Sequence, residues 1–274
     1  MLPSLLLSMR EGLEAALIVG IVLGALRQMR REELAASLWW GVAAASLLSL
    51  GSAGLLTWLG LSLEAPYEQI FEGTTMFLAA GILSWMIFWM SRQSRTMKGD
   101  LETEVRKAAG QSGRALFFLA FIAVVREGIE LALFLTASAF ASDSMQTLFG
   151  TLFGLLIAIL LGWSLFASTY KLDLVRFFQV TGVLLILFAA GLVARGFHEF
   201  IEIGWLPALV EHVWDFNFVI GESSTLGETL KALFGYNPSP ALLEVCAYLA
   251  YFAVILFSLW TSHRQAGAPE PQAR

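Results

Sequence analysis

Seven stretches of the chain run for more than 20 residues with few polar interruptions: 4–26, 35–60, 69–91, 115–139, 147–169, 177–200 and 240–262. A helix that crosses a bilayer needs about 20 mainly apolar residues. These runs are too long for strands and lack the in-out alternation of a β-barrel. The pattern therefore predicts an all-α polytopic membrane protein with seven transmembrane helices. The first run is interrupted by Arg10, Glu11 and Glu14 yet continues to Leu26, unlike the h-region of a cleaved signal peptide.

Composition narrows the reading. Hydrophobic residues make up 57% of the 274 positions and charged ones 14%, where a soluble domain carries about 25% charged. The single cysteine, Cys246, excludes a disulfide framework and any cysteine-based metal site. A net charge of −5 without basic runs argues against nucleic acid as a partner. Membrane lipid is the expected surrounding.

Basic residues set the expected orientation. Arg27, Arg30 and Arg31 follow the first span. Arg92, Arg95, Lys98, Arg106, Lys107 and Arg114 follow the third. Lys171 and Arg176 follow the fifth, and Arg264 and Arg274 lie in the tail. These thirteen of the 17 Lys and Arg share one side, whereas Lys231 alone lies opposite. The N-terminus is expected outside and the C-terminus in the cytoplasm. The outer loops are acidic, with Glu64, Glu68, Asp143, Glu202, Glu211, Asp215, Glu222 and Glu228. Such a surface raises the local cation concentration, although solvated loop charge explains it equally well.

The segment Arg10-Glu11-Gly12-Leu13-Glu14 recurs 116 positions later as Arg126-Glu127-Gly128-Ile129-Glu130. The third span of each half also matches, with Glu72 opposite Gln179. The chain thus divides into a first three-helix repeat (1–91), a cytoplasmic linker (92–114), a second repeat (115–200), an extracytoplasmic segment (201–239), a seventh helix (240–262) and a cytoplasmic tail (263–274). Three spans per unit is an odd number, so the second unit enters the membrane from the other face. Inverted repeats are common in secondary transporters, whose substrate sites lie near the midplane. Counting at 1.5 Å per residue puts Glu11 roughly 11 Å and Glu127 roughly 18 Å into a core about 30 Å thick, measured from opposite sides.

Residues three or four apart share a helix face. Glu11 and Glu14 therefore project together with Arg10, and Glu127 and Glu130 with Arg126. Gly12 and Gly128 permit close backbone approach. Each intramembrane charge costs about 2.5–3.5 kcal/mol, so six cost on the order of 15–20 kcal/mol before pairing. That cost favours a functional role over a pair of structural Arg–Glu bridges. Carboxylates are hard ligands suited to hard cations. With every group ionised the set carries −2, which a divalent ion neutralises. Each arginine is expected to pin one carboxylate by a two-pronged hydrogen bond. Ligand chemistry alone does not choose iron over manganese, magnesium or calcium.

Two REGxE motifs, in the first and fourth of seven spans, resemble the oxidase-dependent iron permease family, and in it the bacterial EfeU-type permeases. The resemblance spans nearly the whole chain. REGLE stands at 10–14 and REGIE at 126–130, the latter with Ile129 for the family's leucine. Glu68-Gln-Ile-Phe-Glu72-Gly73, Leu83-Ser-Trp-Met-Ile-Phe-Trp-Met90, Ala189-Ala-Gly-Leu, Phe197-His198-Glu199 and Leu233-Phe-Gly-Tyr236 also match. Tyr67 departs from the family, whose members often carry charge there. The resemblance implies a non-enzymatic permease importing iron across the plasma (bacterial inner) membrane, with no cofactor and iron as its substrate. Glu11, Glu14, Glu127 and Glu130 would be its iron-handling residues, and Arg10 and Arg126 their motif partners. It also implies a periplasmic iron-binding or iron-oxidising partner.

Glu68, Glu72, His198 and Glu199 are candidates for an outer entrance, set against helix-end electrostatics and interfacial placement. Arg195 lies a turn from Glu199. Thr225-x-x-Glu228 resembles a capping box opening a short helix that stops near Gly235, and Pro240 suits the first turn of the seventh helix. Gly20-x-x-x-Gly24 and Gly150-x-x-x-Gly154 predict close helix contacts, within or between subunits. Rival readings are a permease for manganese, zinc or lead, an intramembrane di-iron enzyme, and a non-transporting sensor or scaffold. The di-iron rival would use Glu-x-x-His pairs; the histidines are His198, His212 and His263, and none has that spacing.

Overall fold

Apolar runs of this length have one low-energy form away from water, the helix, which satisfies every backbone group internally. The computed structural model describes residues 1–93, 103–105, 107–108, 112–141, 144–167, 174–218, 224, 227, 230–231 and 234–266. Among these residues the long elements are α1 (Leu2–Gln28), α2 (Ala35–Ser62), α3 (Tyr67–Gln93), α4 (Gly113–Ala141), α5 (Ser144–Ala167), α6 (Leu174–Glu202) and α7 (Leu242–Ala266). A short 3₁₀ turn, Glu32–Leu34, precedes α2. No strand occurs among the described residues.

Five of the helical stretches are long and apolar enough to cross a membrane: Glu32–Ser62, Tyr67–Trp89, Ser144–Ser164, Arg176–Glu202 and Leu242–Leu259. α1 and α4 are as long, with 27 and 29 residues. They differ in carrying the charged REGxE segments. The faces of α2 and α5 are covered with outward apolar side chains. Trp40, Leu47 and Leu50 on α2 and Ile159 and Trp163 on α5 are each at least 65% exposed.

The helices pair in a crossed pattern. α1 packs most extensively on α5, α2 on α4, and α3 on α6, while α1 also meets α4 and α7 leans on α6. The main core lies where α1, α3, α4 and α6 converge, around Leu7, Met76, Leu83, Phe134, Leu185 and Leu192. A second core joins the C-terminal end of α1 to the starts of α2 and α4, around Val22, Leu26, Leu38 and Leu116.

Small residues set the approach distances. Ser4 and Ser8 donate to Met1 O and Ser4 O at 2.9 and 2.6 Å, so their hydroxyls are satisfied within α1. They then pack directly on Gly150 and Gly154 of α5. That glycine pair is therefore an intrachain contact. Gly24 faces open space, so the expected contact at Gly20-x-x-x-Gly24 does not form at its second glycine.

One terminus differs in detail from expectation. α7 begins at Leu242, two residues after Pro240, and the Pro240 carbonyl instead accepts from Val213 N–H at 3.0 Å. The expected capping residues Thr225 and Glu228 lie outside the described residues. The stop at Gly235 is present: Gly235 N–H donates to Lys231 O at 3.0 Å and Tyr236 N–H to Leu230 O at 3.3 Å. Gly235 adopts φ +64°, as such a helix end requires.

Candidate metal centre

The Arg-Glu-Gly-x-Glu segments sit in mid-helix, where nothing but packing and the i,i+4 relation positions them. In α1, Arg10 Nε donates to Glu14 Oε1 at 3.2 Å. In α4, Arg126 Nε donates to Glu130 Oε1 at 3.0 Å. The two-pronged contact expected from sequence is absent in both, and Arg10 Nη1 is buried without a hydrogen-bond partner. Each arginine meets the carboxylate one turn ahead on its own helix through Nε. The Arg10 guanidinium lies 6.0 Å from the Phe178 ring centroid, and that of Arg126 4.8 Å from the Trp89 ring. Their burial differs: the Arg10 side chain is 1% exposed and that of Arg126 38%.

Close helix approach brings the two segments together. A β-carbon added at Gly12 would lie 2.9 Å from Ala158 Cβ on α5, and one added at Gly128 would lie 2.6 Å from Ser49 Cβ on α2. With both flanks seated, carboxylate oxygens of Glu11, Glu14 and Glu127 all fall within 4.8 Å of one another, and all three residues are buried. Glu130, whose Oε1 accepts from Arg126, is not in that group, but it remains within electrostatic reach of Glu11 and Glu14. Both oxygens of Glu11, Oε2 of Glu127 and Oε2 of Glu130 are buried with no hydrogen-bond partner. Buried polar atoms are normally paired, so these oxygens are suited to a cation.

Glu11 and Glu127 also line a cavity of about 330 Å³, shared with Ser46, Ser49, Gly128 and Thr151. A second, larger one of about 800 Å³ runs toward Arg27, Trp39 and Trp163. The two share Gly12, Ala15, Ser46, Val124 and Leu155. The larger cavity thus adjoins the one that reaches Glu11 and Glu127.

The other expected residues gather at one end of α3 and α6. Gly73 packs on the Gly196 carbonyl, which would lie 3.2 Å from an added Cβ. This contact puts Glu72 in electrostatic reach of Glu199 and Glu202, with Glu68 one turn away on the same helix. Glu199 is buried and its Oε1 lies 4.0 Å from Arg195 Nε. His198 does not turn to these acids alone. Its Nδ1 lies 2.9 Å from Glu244 Oε1 on α7 and its Nε2 3.4 Å from Glu202 Oε1. Glu244 was not singled out from sequence, and neither was Ser49. The signal for Glu244 was an acid four positions after Pro240 at the head of an apolar run; Ser49, among other small residues, gave none. Gln179, aligned with Glu72 in the sequence, is exposed.

A model of the iron permease FTR1 family matches residues 1–262. The chain belongs to that family. Similar proteins include the ferrous iron permeases EfeU of Shigella sonnei and of Yersinia pestis, each 33% identical over 259 residues. The matches cover 93% of this chain and 94% and 92% of those relatives, respectively. EfeU of Yersinia pseudotuberculosis is 34% identical over the same length, covering 91% of the relative. No solved structure matches the chain. The protein is a multi-pass membrane permease that transports iron, and its buried glutamates are chemically compatible with that cargo.

Proposed function

We propose that this permease imports iron across the bacterial inner membrane through the REGxE glutamates, as the ferrous ion named for its EfeU relatives. The carrying observation is the meeting of Glu11, Glu14 and Glu127 oxygens within 4.8 Å, from helices whose motifs are 116 positions apart. Glu130 is the fourth ligand, swinging from Arg126 as the ion binds. Four carboxylates and two guanidinium groups sum to −2, so a divalent ion leaves the site neutral. The buried oxygens without partners support the same reading.

In this proposal all seven helices cross the bilayer, with the N-terminus outside and the C-terminus inside. Units 1–91 and 115–200 form the inverted repeats. The crossed pairing of α1 with α5 and α2 with α4 supports it, because each unit's first helix then packs on the other's second. Iron gathers at Glu68, Glu72, His198 and Glu199, loses water to the buried glutamates, and leaves as the repeats shift. A periplasmic iron-binding or iron-oxidising protein docks on 201–239.

The test is radio-iron uptake into vesicles at controlled redox state, comparing wild type with Glu11→Ala and Glu127→Ala. Uptake should fall to background in both with normal membrane insertion; undiminished flux would defeat the assignment. Competition by manganese, zinc and lead in the same vesicles checks the choice of metal.

A further inference from the structure

Glu244 is 4% exposed and its carboxylate has three neighbours. Ala241 N–H donates to Oε1 at 3.2 Å, which caps the start of α7. Asn237 Nδ2 donates to Oε2 at 3.0 Å. The third neighbour is His198 Nδ1, across on α6, at 2.9 Å from Oε1. An ionised carboxylate only accepts, so Nδ1 carries the hydrogen, and the Nε2 of the neutral ring keeps its lone pair. A carboxylate fixing a histidine in this way is the usual support of a metal-binding imidazole.

Nε2 faces Glu202 Oε1 at 3.4 Å. That is beyond the usual hydrogen-bond span of about 2.7–3.2 Å. Two ligands each about 2.1 Å from one tetrahedral ion stand about 3.4 Å apart. Both side chains are reachable, His198 at 35% and Glu202 at 52% exposure. Glu68, Glu72 and Glu199 lie close by, and Arg195 Nε stands 4.0 Å from Glu199 Oε1. His198 and Glu244 also line a cavity of about 220 Å³, to which Arg195, His212 and Lys231 contribute basic groups.

We infer that His198 Nε2 and Glu202 Oε1 form the protein half of a divalent-metal capture site, with Glu244 as the positioning residue that fixes the ring. Imidazole with carboxylate suits borderline ions such as iron(II) and zinc(II), and water completes the shell. Its role as a first station for cargo rests on the import reading; the binding itself does not. A protonated His198 clamped between two carboxylates, tying α6 to α7, is the alternative.

Zinc titration calorimetry on the full-length, untagged permease in detergent separates them. In a Glu11→Ala/Glu127→Ala background, one Zn²⁺ should still bind. Adding Glu202→Gln, at a position 52% exposed, or His198→Gln should abolish it. Glu244→Gln should weaken it about 10–100-fold, with a retained cooperative melt. Zn²⁺ binding that is absent from the background variant, or unchanged by both Glu202→Gln and His198→Gln, would overturn the assignment. The import reading fails on a separate measurement, undiminished iron uptake in the background variant.

Discussion

Ser49 lies directly against the α-carbon of Gly128, so that any side chain at 128 would displace it. This contact seats α4 on α2 one residue after Glu127, and so sets how far that carboxylate reaches toward Glu11. Gly128→Ala would put a methyl 2.6 Å from Ser49 Cβ. The expected loss is about 1–3 kcal/mol, measured as thermal unfolding in detergent. Because Cβ itself is in the way, Ser49→Gly should restore the melt and Ser49→Ala should not.

Arg10→Met should destabilise more than Arg126→Met. Arg10 is 1% exposed and its removal leaves Glu14 buried without its partner, a loss of about 3–5 kcal/mol. Arg126 is 38% exposed, which softens the loss. The double variant Arg10→Met/Glu14→Gln should recover much of the stability while iron uptake stays at background. Paired melting and uptake measurements would separate support from cargo binding.

Trp89→Leu should lower stability by on the order of 0.5–2 kcal/mol through loss of the ring under Arg126. The effect should shrink in an Arg126→Met background to the packing that Trp89 makes on the core, and a double-mutant cycle reads the difference.

Gly235→Ala faces two obstacles. The backbone there has φ +64°, and an added methyl would lie against Gly191 of α6, whose carbonyl carbon is 2.9 Å away. Asparagine tolerates that backbone but still carries a β-carbon. Gly235→Asn should therefore melt as low as Gly235→Ala, by differential scanning fluorimetry; recovery with asparagine would show that backbone conformation alone matters.

The long helices and the residues of the buried cluster were legible in the chain because each rests on local rules. Runs of about 20 apolar residues have to be helical in lipid, and the i,i+4 relation ties Arg10 to Glu14 and Arg126 to Glu130 wherever those helices lie. The two-pronged arginine contacts expected from sequence do not form: each arginine gives its i+4 glutamate a single bond, from Nε. Pro240 was placed inside α7, but the 205–218 segment folds over it and takes its carbonyl.

The sequence by itself determined which segments are helices, which residues carry charge among apolar neighbours, and that the REGxE pattern occurs twice. Tertiary structure alone decided that Glu11, Glu14 and Glu127 meet while Glu130 stays with Arg126, that Gly150 and Gly154 bind α1 of the same chain, and that His198 turns to Glu244. Periodicity fixes the face of a helix on which a side chain projects. The partner on that face depends on interhelical distance, which comes from small side chains such as Ser49 and Ala158 that leave no periodic mark.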